Sequence, residues 1–171
     1  MFFIGVISRK NKYEVLKERI QKSCNKNKVS LININNKSIS NLKNVKFDVI
    51  VILDSLEKFD FDECKNDNFK NLKEICEKTQ YLLLDSDIEI KTNIFKDIKV
   101  NIITFGLNHK SSVTISSITD ENIMISVQRG VRDTEGNIFE VGEYSEVINN
   151  NVANNIKEIL SCFILKNIIK L

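Results

Sequence analysis

The sequence predicts an α/β fold: a mostly parallel sheet with flanking helices, joined to a small antiparallel β lobe. Three observations carry this. Apolar runs alternate with amphipathic stretches as far as Phe105. Those runs are hydrophobic at nearly every position, as strands covered on both faces are. Beyond Gly106 the pattern changes to alternation of apolar and polar residues, before an apolar C-terminal stretch.

Met1 to Ser8, MFFIGVIS, passes directly into a charged amphipathic stretch and reads as a strand entering a helix. From Tyr13 to about Asn27, Leu16, Ile20 and Cys24 share one helical face, with Lys17, Glu18 and Lys22 on the other. Val29 to Ile34 is a second strand, and FDVIVIL, Phe47 to Leu53, a third. Asn68 to Lys78 is a helix with Phe69, Leu72, Ile75 and Cys76 inward. Tyr81 to Leu84 and Val100 to Phe105 complete the parallel set. A doubly wound core of this kind has its working edge at the C-terminal ends of its strands.

Val113 and Ile115, then Ile123, Ile125 and Val127, then Phe139 and Val141 alternate with polar neighbours, as half-exposed antiparallel strands do. Asp120-Glu121-Asn122 and Thr134-Glu135-Gly136-Asn137 supply the turns. From about Asn150 to the last residue, Val152, Ile156, Ile159, Leu160, Phe163 and Ile164 define an apolar closing helix. The expectation is one domain over 1–171, with an α/β core at 1–106, the antiparallel lobe at 107–148 and the closing helix at 149–171.

The chain has 171 residues, 25 of them basic and 23 acidic, and its formal net charge of +2 is not clustered. That balance argues against a nucleic-acid partner. With 42% hydrophobic and 28% charged residues, a packed core and no membrane span are expected. Cys24, Cys64, Cys76 and Cys162 form no CxxC pair, and no signal segment precedes them, so a reduced, cytoplasmic protein is expected. The scattered thiols and a lone histidine predict no metal centre.

The first strand-to-helix turn is Gly5-Val6-Ile7-Ser8-Arg9-Lys10-Asn11-Lys12-Tyr13-Glu14. A phosphate-binding loop needs glycines there so that backbone N–H groups wrap the phosphates, a Lys for their charge, and a Ser or Thr on magnesium. This turn has the place and length of such a loop without its chemistry. It resembles the G-V-T-G-T-N-G-K-T-T loop that opens the central, ATP-binding domain of the Mur ligase family. Lys12 falls on the phosphate lysine, Ser8 and Asn11 on two loop glycines, and Tyr13 and Glu14 on the two threonines.

Later segments resemble the same family in the same order. FDVIVILDSLEKFDF, Phe47 to Phe61, is similar to its T-N-I and D-H-L-D stretch. There Leu53 and Asp54 stand at T-N, and Lys58 and Phe59 at D-H. NFKNLKEI with YLLLDSD, and VNIITFGLN, are similar to its N-x-D-D and V-I-T-F-G segments. Asn150-Asn151-Val152-Ala153-Asn154-Asn155 resembles its H-N-x-x-N-A helix opening. The resemblance implies vestigial nucleotide contacts at Lys12, Asn151 and Asn154, with Arg9 and Lys10 as further anion candidates beside Lys12. It reaches the central domain alone, so a solitary, degenerate central domain is expected.

ATP-dependent amide ligation needs a held Mg-nucleotide and stabilised charge on the transferring phosphoryl group. Loop glycines replaced by residues with Cβ atoms, and Tyr13 at a magnesium hydroxyl position, predict that ATP and magnesium binding are lost. No catalytic residue and no cofactor are expected. Lys12, Arg9 and Lys10 form either an anion contact or a solvated basic turn. His109 is a surface-loop histidine or a general base beyond a strand end. Asp54, Asp60, Asp62, Asp85 and Asp87 cap turns or gather at the sheet edge as metal ligands. The apolar stripe of the closing helix reads as core, but Ile164, Ile168, Ile169 and Leu171 exceed what one helix face needs, and an exposed remainder would point to a homodimer or a protein partner through the C-terminal helix.

The expected function is that of a non-catalytic, Mur-ligase-like binding or regulatory protein, a pseudoenzyme, in bacterial cell-wall or spore-envelope assembly. The competing expectations are a nucleotide-binding or amide-ligase-related enzyme with an altered site, and a small-ligand binder at the old nucleotide cleft.

Overall fold

In the computed structural model, residues 1–23, 29–59, 67–89, 95, 97–147 and 155–170 are described below. The α/β expectation holds: one mixed eight-stranded sheet carries helices, and a two-stranded antiparallel ribbon stands apart. The parallel part is β1 (Phe2–Ile7), β2 (Val29–Asn33), β3 (Val49–Ile52), β4 (Tyr81–Asp85) and β5 (Asn101–Phe105). Helices α1 (Lys10–Ser23), the single turn α2 (Ile39–Leu42) and α3 (Asp67–Glu77) lie between them, with a 3₁₀ turn at Leu56–Phe59.

The antiparallel strands β6 (Val113–Ile118), β7 (Asn122–Val127) and β10 (Gly142–Val147) prolong this same sheet, and β8 (Val131–Arg132) with β9 (Ile138–Phe139) forms the ribbon. The strand order is β10-β7-β6-β5-β4-β3-β1-β2. β6 joins the parallel part through the single pair Phe105 and Val113. The strand expected at Phe139 and Val141 is displaced: Phe139 lies in β9, Val141 is exposed, and the long strand is GEYSEV.

The apolar strands divide their side chains between two cores, as the period-two pleat requires. Ile4, Val6, Val49, Val51 and Leu83 pack with Leu16 and Ile20 of α1 and with the closing helix α4 (Ile156–Phe163). Ile7, Ile50, Ile52 and Leu82 pack with Ile39, Leu72, Ile75 and Cys76. Gly5 lies where a Cβ would come within 2.5 Å of Ile34 Cδ1 and 3.2 Å of Phe47. Only a residue without a side chain lets those two groups close over β1.

The closing helix passes into a π-helical turn at Ile164–Ile168, where the Ile169 N–H donates to the Ile164 carbonyl at 3.0 Å. The wider turn shifts the helical face. Ile164, Leu165, Ile168 and Ile169 are all fully buried within this chain. The core reading of the stripe holds and no exposed remainder is found at Ile164, Ile168 or Ile169, while Leu171 lies outside the described residues. Phe163 also meets Phe139 and Tyr144, with ring centroids 6.2 and 5.8 Å away, tying the ribbon and the sheet edge to α4. Among the described residues no helix is long and apolar enough to cross a membrane.

Candidate functional site

The parallel strands run in the order β2-β1-β3-β4-β5. In doubly wound sheets a ligand crevice opens where successive connections leave in opposite directions, here between the C-terminal ends of β1 and β3. β1 ends at Ile7 and α1 begins at Lys10, so the turn between them is Ser8 and Arg9 alone. This corrects the expected loop length: α1 starts three residues earlier than its apolar periodicity indicates and takes Lys12 into its first turn.

The Tyr13 N–H donates to the Arg9 carbonyl at 3.1 Å, which makes Arg9 the N-cap. An arginine side chain cannot accept a hydrogen bond there, and the acceptor comes instead from the next strand end. The Asp54 carboxylate accepts the Arg9 amide N–H at 2.9 Å and lies 3.2 Å from Arg9 Nε. Lys12 Nζ donates to the Leu53 carbonyl at 2.7 Å and stands 3.3 Å from Asp54 Oδ1. The Asp54 side chain is 3% exposed. Burial pushes its carboxyl up, but the Arg9 amide and the Lys12 and Arg9 charges outweigh that and hold it below the usual carboxylate range.

Asp54 thus places a fixed negative charge at the N-terminus of α1, where the helix dipole favours an anion. Of the basic turn, Lys12 is engaged within the chain, whereas the Arg9 side chain reaches Asp54 but remains largely exposed. The Ser8 hydroxyl is buried and has no hydrogen-bond partner among the described residues. Lys10 and Asn11 are exposed.

A second ion pair closes the next part of the edge. Lys157 of α4 donates to Asp85 Oδ1 at 2.7 Å and also to Asp87. Asp87 accepts the Leu107 and Asn108 N–H groups at 2.7 and 2.9 Å, and Asp85 accepts the Asp87 N–H at 3.0 Å. Burial raises the Asp87 carboxyl, but the Lys157 contact and the two amides together bring it below its ordinary value. Between these turns Gly106 has φ +154°, and a Cβ on it would meet Ser86 Oγ at 2.6 Å. The turn therefore requires glycine.

These contacts give the acidic residues Asp54, Asp85 and Asp87 turn-capping and ion-pairing roles. Asp60 and Asp62 lie outside the described residues, as do Asn151 and Asn154. His109 is exposed on the loop after β5. Sequence reasoning missed Lys157, whose only signal is its place in the first turn of a helix that packs against this edge.

Glu158, beside Lys157, is only 3% exposed. Burial pushes its carboxyl above the usual range, helped by the Asp85 charge and partly offset by its own amide, Lys12 and Arg19. With a folded value above the unfolded one of about 4.3, the folded state keeps the proton longer, and ionised Glu158 opposes folding once the pH exceeds both. Glu158→Gln is expected to be more stable than the parent at pH 7 and to lose that advantage below pH ~4. Chemical denaturation across that range checks this; equal stability at pH 7 contradicts it.

The resident group that the resemblance implies, a magnesium nucleotide, does not fit these residues. The Asp54 carboxylate takes the Arg9 amide of this two-residue turn and sets a negative charge where a phosphate would have to be received. The Lys12 ammonium is engaged as well. The fold and edge define a doubly wound α/β domain in which Asp54, Arg9 and Lys12 are bonded to one another at the β1 and β3 ends, beside an open pocket of about 390 Å³ lined by Ser8, Arg9, Tyr13, Asn33 and Asn35. No protein-family model matches the chain, and no curated protein matches it.

Proposed function

We propose that the chain is a non-catalytic, Mur-ligase-like binding or regulatory protein, a pseudoenzyme, acting in the bacterial cytoplasm in cell-wall or spore-envelope assembly. The pathway rests on the sequence resemblance alone. The observation that carries the non-catalytic part is Asp54. Its carboxylate sits on the Arg9 amide and against Lys12, where a phosphate group would have to be received. A triphosphate entering there would meet a like charge and find its lysine already bonded.

Burial raises the Cys76 thiol to about 12, which makes it inert as a nucleophile at neutral pH. With the closing helix committed to the protein's own core, that helix no longer argues for self-association or for a protein partner. Calorimetric titration with Mg-ATP tests the reading, and an absence of binding heat is expected.

A further inference from the structure

A cavity of about 160 Å³ opens between the C-terminal half of α1, the end of β10 and the closing helix, away from the strand-end turns. Ile159 and Phe163 give it an apolar side, and three cations line it: Arg19, Lys22 and Lys166. The one carboxylate among the lining residues is Glu146.

These cations are held loosely. Lys22 pairs with Glu18 on α1 at 2.6 Å, with both side chains mostly in solvent, and Lys166 stands 3.6 Å from Glu146. Exposed pairs of this kind are weak and yield to a better-placed anion. Arg19 is held differently. Its side chain is half-buried, and its Nε is enclosed with no acceptor within hydrogen-bond distance among the described residues. Buried guanidinium donors are normally satisfied, and an oxyanion is the group that matches their fork. For size, an apolar cavity of about 150 Å³ accepts a benzene ring.

We propose that this α1–α4 seam is a binding site for a small organic monoanion, an oxyanion head on an apolar body of about six carbons. The head meets Arg19 with Lys166 and Lys22 around it, and the body lies against Ile159 and Phe163. The site does not depend on the pseudoenzyme reading and stands or falls separately.

Sodium benzoate is the probe, titrated calorimetrically into the full chain at constant ionic strength, with benzyl alcohol and inorganic phosphate as controls. Saturable benzoate binding near or below millimolar is expected, about tenfold weaker in Arg19→Gln and about threefold weaker in Lys166→Gln, with neither control saturating. Lys166 is a half-exposed residue, so its variant keeps the fold and decides the question if Arg19→Gln does not. Four results would overturn the proposal: no saturation by benzoate, equal binding of phosphate, equal binding of benzyl alcohol, or unchanged benzoate affinity in folded variants.

Discussion

Asp54→Ala is expected to lower the stability of the protein by roughly 3 kcal/mol, or about 6 to 12 °C in Tm for a chain of this length. The substitution removes a nearly enclosed carboxylate while leaving the Arg9 amide and the Lys12 ammonium without it. Lys12 keeps the Leu53 carbonyl, which limits the loss. The folded Asp54 value lies below the unfolded one of about 3.9, so its contribution is fully present above that pH and fades as the pH falls through the folded value. The parent and variant stability curves therefore converge in acid. Because the variant vacates an anion position at a helix N-terminus, sulfate should recover part of the lost stability. Denaturation curves from pH 2 to 7, with and without sulfate, check both points. A variant as stable as the parent at pH 7 would remove Asp54 from its role.

Lys157→Ala has the second-largest expected effect, a loss of about 2 to 3 kcal/mol. Asp85 is 2% exposed and would be left with the Asp87 amide as its partner. The larger consequence is mechanical. Lys157 is the bond by which the first turn of α4 grips the turns after β4 and β5, since Asp87 passes the contact on to Leu107 and Asn108. Amide hydrogen exchange at Leu107 and Asn108 should quicken in the variant, while exchange in β1 and β3 follows only the global loss. Lys157→Arg keeps the charge and should retain most of the protection. Unchanged exchange at those two amides would show that α4 is held by its apolar face alone.

The parallel core was legible because burial leaves a mark on sequence. FDVIVIL carries apolar residues on both faces, and the structure assigns Val49 and Val51 to one core and Ile50 and Ile52 to the other. β10 left no such mark. It borders solvent along one side of the sheet, so GEYSEV is mostly polar and its register comes from pairing with β7. The closing helix was legible as core, but not how Ile164, Ile168 and Ile169 all fit there, because a regular period leaves no room for them on one face and the π turn that brings them in together has no mark in the sequence. At the candidate site, the chemistry of the first turn was readable but its geometry was not. The acceptor at the start of α1 comes from Asp54, 45 residues away, and no local cap at Arg9 announces it. Lys157 escaped for the same reason, being 72 residues from Asp85.

The central claim is that a built-in carboxylate fills the place of a phosphate at the head of α1. Titration of the protein with Mg-ATP in a calorimeter tests this most directly. A flat trace is expected from the parent chain, and equally from Lys12→Ala. Micromolar binding by the parent that disappears in Lys12→Ala would contradict the account, because it would require Lys12 to leave Asp54 and the Leu53 carbonyl for the nucleotide.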